Sequence, residues 1–210
     1  MTINPGNEYL LEGLIKNNLK MAELGNQTII RKNNNGKDYL FAIAKNLYTP
    51  NLKSHVSIDL NGKDGAIKVN LSEKIEKWNV KDFKENFDLV TNFGTSEHCS
   101  NQNNVFYNID QMCKLGGEMI HSVPLHGYWP KHCRYRYKLG FFTNLAKHLN
   151  YTVKLEETKK RKNNLLLNAI LIKNSINTYE NFNFDFETIG MTTSNKFHDN
   201  TDNSAESIFK

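Results

Sequence analysis

Short apolar runs alternate along this chain with segments whose apolar residues recur at helical spacing. Runs at residues 19–24 ("LKMAEL"), 54–59 ("SHVSID"), 66–71 ("AIKVNL"), 87–93 ("FDLVTNF") and 117–124 ("GEMIHSVP") have the length and composition of buried strands. Strands separated by helical segments predict a doubly wound, mainly parallel α/β sheet.

Four segments between these runs are predicted to be helical. A short helix is expected around Glu8 to Asn17. A second covers "DYLFAIAKNLY", which places Leu40, Phe41, Ala44 and Leu47 on one face before Pro50 closes it. A third runs from Ser100 to a stop at Gly116 and Gly117, where glycine can adopt the left-handed cap conformation. The fourth is "YKLGFFTNLAKHL".

Two further strands, "YTVKLEE" and "LLLNAILIKN", are separated only by the basic turn "TKKRKN". A parallel crossover needs a dozen or more residues, so these strands are expected to form an antiparallel hairpin that completes a seven-stranded sheet. Residues 1–174 are therefore predicted to form one domain. Residues 175–210 are rich in Asn, Thr, Ser and Phe with weak periodicity, which predicts a partly disordered or surface-wrapping tail.

Composition narrows the class of protein. The chain has 210 residues and a formal net charge of +5, so a nucleic-acid partner is permitted but not favoured. Cys99, Cys113 and Cys133 form no CxxC pair and indicate neither a disulfide framework nor a zinc site. No apolar run approaches the roughly twenty residues of a membrane span, and the N-terminus lacks a signal peptide pattern. We expect a cytoplasmic protein, and the sequence does not indicate its oligomeric state.

In a doubly wound sheet, ligands bind beyond the carboxyl ends of the strands. Asp59 ends the second strand, where a carboxylate can accept hydrogen bonds from both hydroxyls of a ribose. The alternative is that Asp59 only caps the turn at Asn61 and Gly62.

Four stretches at these strand ends resemble motifs of the class I S-adenosylmethionine-dependent methyltransferases. They are "AELGNQ" (22–27), "VSIDLNG" (56–62), "FDLVTNFGTSEH" (87–98) and "CKLGGEMIHSVP" (113–124), and the terminal hairpin matches too. The resemblance implies a Rossmann-like methyltransferase fold and S-adenosylmethionine as cofactor. The cofactor-binding residues that it implies are Glu23, Gly25, Asn26, Gln27, Asp59, Leu60, Asn70, Asn92, Phe93 and Gly94.

This chain departs from the family pattern in its first motif, which has one glycine where relatives have two or three. Either cofactor binding is weakened, or the Asn26 and Gln27 side chains supply contacts in a variant turn. Asn70 also stands where an acidic residue is common in the family, so an amide or the neighbouring backbone would meet the adenine.

Glu97 and His98 follow the fourth strand closely enough to face a methyl acceptor. A histidine suits the role of general base toward a hydroxyl group, and Glu97 could orient its ring or bind substrate. The alternative is that both residues simply open the helix that begins near Ser100.

The loop after the fifth strand concentrates aromatic and histidine residues. Its candidate acceptor-binding residues are His126, Tyr128, Trp129 and His132, because rings stack on sugar or base faces. A packed loop without a ligand is the alternative, and no metal is predicted, since the histidines lack helical ligand spacing. His121 is expected in the core. The basic run at residues 159–162 indicates a solvated turn, or else a nucleic-acid contact.

The leading hypothesis is O-methylation of a sugar or other small hydroxylated molecule. An RNA or protein methyltransferase is one alternative, and a catalytically inactive binding relative is another. A nicotinamide-dependent oxidoreductase or epimerase would share the acidic residue of the second strand, but it should show GxGxxG, which this chain lacks.

Overall fold

The computed structural model describes residues 2–4, 6–16, 18–32, 39–161 and 163–194. Within these ranges the strands are β1 (Thr2–Ile3), β2 (Lys20–Leu24), β3 (Thr28–Lys32), β4 (Tyr39–Ile43), β5 (Ser54–Asp59), β6 (Ile67–Lys68), β7 (Phe87–Phe93), β8 (Cys113–Pro124), β9 (Tyr135–Tyr137), β10 (Tyr151–Arg161), β11 (Asn164–Lys173) and β12 (Met191–Thr193). The α-helices are α1 (Ala44–Tyr48), α2 (Gln102–Met112) and α3 (Phe141–Leu149). Short 3-10 turns include Glu8–Leu11 and Ser96–His98.

The main sheet has seven strands in the order β10, β11, β8, β7, β2, β5, β6. Strands β6, β5, β2, β7 and β8 are parallel, and β11 runs antiparallel to both β8 and β10. This arrangement confirms the predicted mainly parallel sheet with its C-terminal hairpin. The carboxyl ends of the parallel strands lie along one edge, where the candidate residues were expected.

Alternating residues of the central strands cover opposite faces of the sheet. Ala22 and Val90 belong to a large apolar cluster that also contains the inner residues of α2 and α3. Met21 and Leu89 belong to a second cluster with Leu10, Leu11, Ile29 and Ala44. Both faces are therefore covered, as parallel sheets require.

The helix predicted for "DYLFAIAKNLY" is wrong over its first half. Residues Tyr39–Ile43 form strand β4, which pairs antiparallel with β3, and only Ala44–Tyr48 are helical. Strand β3 supplies the pairing partner, and its β-branched residues Thr28, Ile29 and Ile30 favour a strand, as do aromatic residues. The N-terminal strand β1 adds to β3 and completes a small separate sheet.

The helix stop predicted at Gly116 and Gly117 is also wrong. Helix α2 ends at Met112, and strand β8 begins at once with Cys113. A Cβ on Gly117 would lie 2.7 Å from the Cys113 sulfur and 3.1 Å from the Asp88 carbonyl oxygen. The glycine thus permits close approach of β8 to β7, where their pairing register shifts.

Two other segments differ from the predictions. The N-terminal helical segment is a 3-10 turn of four residues, Glu8–Leu11, and Asn17 lies outside the described residues. The basic run is mostly strand rather than turn, because β10 continues to Arg161 and pairs there with Asn164. Strand β11 then begins at once.

The chain after β11 packs along the face of the sheet that carries α2 and α3. Phe182 and Phe186 are buried, and Phe186 stacks on Phe106 of α2 with ring centroids 5.3 Å apart. Strand β12 pairs antiparallel with β9, so Met191 lies opposite Tyr137. The described part of this segment, residues 175–194, therefore packs on the domain, while Phe197 and Phe209 lie outside the described residues.

A buried ion pair joins the end of α2 to the end of β11. The Lys173 side chain is fully buried, and its Nζ lies 3.3 Å from Asp110 Oδ2. It also donates hydrogen bonds to the carbonyl oxygens of Asp110 and Cys113. Asp110 Oδ1 accepts from the Tyr151 hydroxyl at 2.7 Å and from the Asn177 amide at 3.1 Å. Both charges are thus paired and hydrogen-bonded, as burial requires.

None of the helices in the described ranges has the length and apolar character needed to cross a membrane.

Candidate functional site

The ends of β2 and β7 are joined by a buried polar cluster around Gly25. Gln27 Nε2 donates to the Leu24 carbonyl oxygen at 2.8 Å, and Thr95 Oγ1 donates to the same oxygen at 2.8 Å. Gly25 has φ +74°, and a Cβ there would lie 2.7 Å from Thr95 Oγ1. The turn therefore requires glycine, and the fully buried Gln27 side chain fills the space beside it.

Asp59 lies at the tip of β5 and is half-buried. Its Oδ2 accepts from the Asn26 backbone N–H at 2.8 Å, and its Oδ1 accepts from the Asn61 backbone N–H at 3.0 Å. Each carboxylate oxygen can accept a second hydrogen bond, so both remain able to receive a diol. Asp59 thus caps the turn, as one interpretation of the sequence predicted, and this contact leaves the ribose-binding interpretation as a prediction.

Three further cofactor candidates differ in how deeply their side chains are buried. Glu23 is fully buried, where Oε1 accepts from the Gln27 N–H at 3.0 Å and Oε2 lies 3.5 Å from His55 Nε2. Leu60 and Asn70 are half-buried beyond β5 and β6. Glu23 therefore supports the turn from inside rather than reaching outward.

Asn92 holds the turn that carries the catalytic candidates. Its Oδ1 accepts from the backbone N–H groups of Thr95 and Ser96, and its Nδ2 donates to Ser96 Oγ at 2.8 Å. Tyr137 supports the same turn, since its hydroxyl lies 3.0 Å from Ser96 Oγ and donates to Gln102 Oε1 at 2.9 Å. Supporting hydrogen bonds of this kind fix the geometry of a site.

Glu97 and His98, in the 3-10 turn that follows, are both buried. His98 Nε2 lies 3.8 Å from Glu97 Oε1. The His98 ring also meets the His132 ring edge to face, with centroids 5.3 Å apart. The structure thus brings together two candidates from the β7 motif and one from the loop after β8.

A cavity of about 180 Å³ opens beside this group, at the carboxyl ends of β7 and β8. The residues lining it are Thr2, Asn7, Phe93, Gly94, Glu97, Ser122, Pro124, Trp129, His132, Arg161 and Leu166. Leu24, Asn92 and His121 are in register across β2, β7 and β8, and adjacent strands lie about 4.8 Å apart, so His121 lies about 10 Å from Leu24. Strand β7 thus lies between the strand that ends at the Gly25 turn and the strand whose end borders the cavity.

The predicted loop residues separate into two groups. Trp129 and His132 line the cavity, whereas His126 and Tyr128 are exposed outside it. His126 Nδ1 lies 3.0 Å from Thr192 Oγ1, which links this part of the loop to β12.

Arg161 is a cavity residue that the sequence did not single out. Its guanidinium carbon lies 5.3 Å from the centre of the Trp129 ring. Burial lowers the pKa of Arg161, while the Glu97 carboxylate opposes that shift, and arginine stays cationic in either case. Strand alternation gave no signal for it, because Lys159 and Lys160 are both exposed while Arg161 is half-buried.

No group of three or more metal-ligating residues occurs among the residues the structure describes.

His121 is buried in the core, as predicted from its position within the strand. Its Nδ1 lies 3.2 Å from Asn92 Nδ2, and its ring stacks on Phe142 with centroids 4.5 Å apart. Burial lowers the pKa of His121 to about 3.

This shifted pKa predicts acid sensitivity. Between about pH 3 and 6.5 the unfolded chain binds a proton at His121 that the native protein does not, so stability falls as pH falls through that window. Lowering the pH from about 7.5 to about 5 should lower the free energy of unfolding by about 2 kcal/mol through His121 alone. Urea denaturation at both pH values measures it. His121→Phe should remove this contribution, while the exposed His148→Gln should not, and equal acid sensitivity in both variants would contradict the assignment.

Comparison with solved structures identifies the fold. The 1,6-didemethyltoxoflavin N1-methyltransferase of Burkholderia thailandensis, with bound S-adenosylhomocysteine, aligns with a TM-score of 0.57 at 13% identity over 81% of this chain and 77% of that one. A SAM-dependent methyltransferase from Methanosarcina mazei aligns with a TM-score of 0.50 at 11% identity, covering 79% and 97% of the two chains. The 4+2 cyclase SpnF aligns with a TM-score of 0.50 at 9% identity, covering 80% and 79%.

The chain therefore has the fold of the class I S-adenosylmethionine-dependent methyltransferases. No protein-family model matches the sequence, and no curated protein sequence matches it.

Proposed function

We propose that this protein is an S-adenosylmethionine-dependent methyltransferase that methylates a hydroxyl group of a sugar or another small molecule. The observation that carries the proposal is the position of the half-buried Asp59 carboxylate at the tip of β5, beside the Gly25 turn in the methyltransferase strand order. The fold alone does not fix the reaction, since the cyclase SpnF has it too.

Asp59 and the Gly25 turn would hold the cofactor. Asp59 would accept hydrogen bonds from the ribose hydroxyls, with Leu60, Asn70 and Asn26 as neighbours of the nucleoside. Phe93 and Gly94, at the end of β7, would separate this half of the site from the acceptor cavity. Gln27 is buried against Thr95, so contacts to the methionine end would come from the backbone of this turn unless Gln27 moves.

When bound, S-adenosylmethionine would supply a methyl group on a positively charged sulfur. An acceptor oxygen can bond to the methyl carbon in line as the carbon–sulfur bond breaks, with S-adenosylhomocysteine as the leaving group. The protein must align the acceptor, exclude water and remove the hydroxyl proton. We assign proton removal to the imidazole of His98, with Glu97 orienting it at 3.8 Å and His132 packed against its ring. Trp129 and His132 would bind the acceptor from the loop side of the cavity.

Calorimetry with S-adenosylmethionine and with NAD tests this proposal directly. We expect S-adenosylmethionine to bind and NAD not to bind. Binding of NAD alone would favour the oxidoreductase hypothesis and overturn ours. Cofactor binding without methyl transfer to any of a panel of sugars, nucleotide sugars, phenols, RNA and protein would favour an inactive binding relative.

Asp59→Ala should weaken S-adenosylmethionine binding by about 1.5 to 3 kcal/mol, because hydrogen bonds to a charged group lie in that range. The measurement is a calorimetric titration of the folded variant. Asp64→Asn serves as a control beside Asp59→Asn, since the exposed Asp64 carboxylate accepts from the Asn26 side chain at 3.0 Å and from no backbone N–H of the described residues. Unchanged affinity in a folded Asp59→Ala variant would exclude the ribose assignment.

A further inference from the structure

Arg161 contributes a positive charge to the acceptor cavity for which the protein supplies no full partner. Its guanidinium lies over the Trp129 ring and interacts electrostatically with the Glu97 carboxylate. Among the described residues, none accepts a hydrogen bond from it. Arginine carries five N–H donors arranged to match carboxylate and phosphate oxygens. A half-buried guanidinium facing a cavity is therefore a ready anion-binding group.

Trp129 is held in place to form the wall beside Arg161. Its backbone has φ +58°, in the left-handed region that bulky residues rarely adopt. Three contacts hold it there. The Trp129 backbone N–H donates to Asn164 Oδ1 at 2.9 Å, and the Trp129 indole N–H donates to the Leu165 carbonyl oxygen at 2.6 Å. The Arg136 guanidinium donates to the Trp129 carbonyl oxygen at 2.7 Å.

These contacts tie the loop to strand β11, which also pairs with β10 at Arg161. The aromatic wall and the cation are thus positioned by the same hairpin. A preformed site of this kind loses little conformational entropy when it binds a ligand.

The size and charges of the cavity define the ligand. A volume of about 180 Å³ is below the ~300 Å³ of pockets for drug-sized molecules, so it accommodates a single ring or one end of a larger acceptor. The walls carry a carboxylate at Glu97 and a guanidinium at Arg161. A complementary molecule would offer hydroxyl donors to Glu97 and an anionic group to Arg161, with the ring face against Trp129.

We infer that the acceptor is an anionic hydroxylated ring compound of the sugar class, bearing a carboxylate or a phosphate that Arg161 binds while Trp129 stacks on the ring. This inference rests on the proposed function, because the bound molecule is an acceptor only if the protein transfers a methyl group to it. It deepens that function by adding a charge requirement for the acceptor. The ligand site itself does not depend on methyl transfer.

The two tryptophans of the chain make a selective binding assay possible. Trp129 lines the cavity, whereas the Trp78 indole is buried and donates to the Asn70 carbonyl oxygen at 3.1 Å. In the ¹⁵N-labelled protein, the indole N–H signals of these residues report on the cavity and on a remote reference. Trp129→Phe assigns the first signal.

The probes are glucose, glucose 6-phosphate and glucuronate, titrated to millimolar concentration. We expect the Trp129 signal to shift with at least one anionic sugar, while the Trp78 signal stays in place. Glucose should need a concentration about tenfold higher or more to give the same shift. A response to glucuronate alone identifies a carboxylate ligand, and a response to glucose 6-phosphate alone identifies a phosphate ligand. Equal responses to glucose and both anions, or no response to any probe, would overturn the inference.

Arg161→Gln should weaken binding of the anionic probe by about 10- to 100-fold, the equivalent of losing a hydrogen bond to a charged group. The matched control is Lys160→Gln, because Lys160 is exposed on the same strand outside the cavity lining. Arg161→Lys keeps the charge without the paired donors and should be intermediate. Equal affinity in the Gln variant would overturn the role of Arg161.

Failure of this inference can be told apart from failure of the proposed function. Calorimetry with S-adenosylhomocysteine tests the cofactor half of the site, and the sugar titrations test the cavity. Anion binding without cofactor binding would reject the methyltransferase and keep the ligand site. Cofactor binding with no preference for anionic sugars would keep the methyltransferase and reject the ligand class.

Discussion

Replacing His98 with alanine should lower the turnover number by about 100- to 10,000-fold, the usual contribution of a positioned general base. Cofactor affinity should stay nearly unchanged, because His98 lies in the turn after β7 and packs against His132, which lines the cavity, rather than at the Gly25 turn. The loss should therefore appear in kcat for the methylated acceptor rather than in cofactor binding. Wild-type activity should also fall in acid, since a protonated imidazole cannot accept the hydroxyl proton.

Two variants sharpen this measurement. His148→Ala, on the exposed face of α3, controls for the loss of any histidine ring and should retain activity. His132→Ala tests the neighbouring imidazole, which lines the cavity directly. Full activity in His98→Ala, together with a large loss in His132→Ala, would transfer the role of base to His132.

Replacing Lys173 with methionine should lower the free energy of unfolding by about 3 to 5 kcal/mol, because Asp110 would remain buried without its counter-ion. The side chains of both residues are fully buried, so solvent cannot replace the lost partner. Urea denaturation of the full chain measures the change. Replacing both residues, as Lys173→Met with Asp110→Leu, should cost less than the sum of the two single changes.

The exposed pair of Lys154 and Glu118 provides the matched control. Its atoms lie 2.7 Å apart, but the side chains are 43% and 20% exposed. Lys154→Met should therefore change the unfolding free energy by no more than about 1 kcal/mol. A similar small effect for Lys173→Met would mean that the buried pair contributes little beyond its packing.

The parallel half of the fold could be predicted from the sequence because each strand is a short apolar run that ends at a distinctive residue. Leu24, Asp59 and Phe93 end their strands where the pattern places them. Local composition indicates these boundaries, since a strand buried on both faces is mostly apolar. The positions of Gly25 and Asp59 at one edge of the sheet followed from that prediction.

The hairpin of β3 and β4 could not be predicted in the same way. Residues 39–48 satisfy helical spacing, and the decision for a strand depends on pairing with Thr28–Lys32 across a polar segment. Contacts between segments override local preference in such cases.

The position of Arg161 in the site could not be predicted from local sequence either. The basic run identifies charge, but only the pairing of β10 with β11 determines which of its residues turns inward. Trp129 and His132 were identified by residue type. Their separation from His126 depends on contacts with β11 and β12 that no local pattern encodes.

The cavity at the carboxyl ends of β7 and β8 is lined by residues that lie far apart in the chain. Asn7 lies near the N-terminus and Leu166 in the last strand of the main sheet, yet both line the same space. During synthesis, the Gly25 turn and Asp59 leave the ribosome long before Arg161 and Leu166 are made. Because domains generally fold as units and contacts between distant segments form late, the cavity would take shape only after the chain through β11 has left the ribosome.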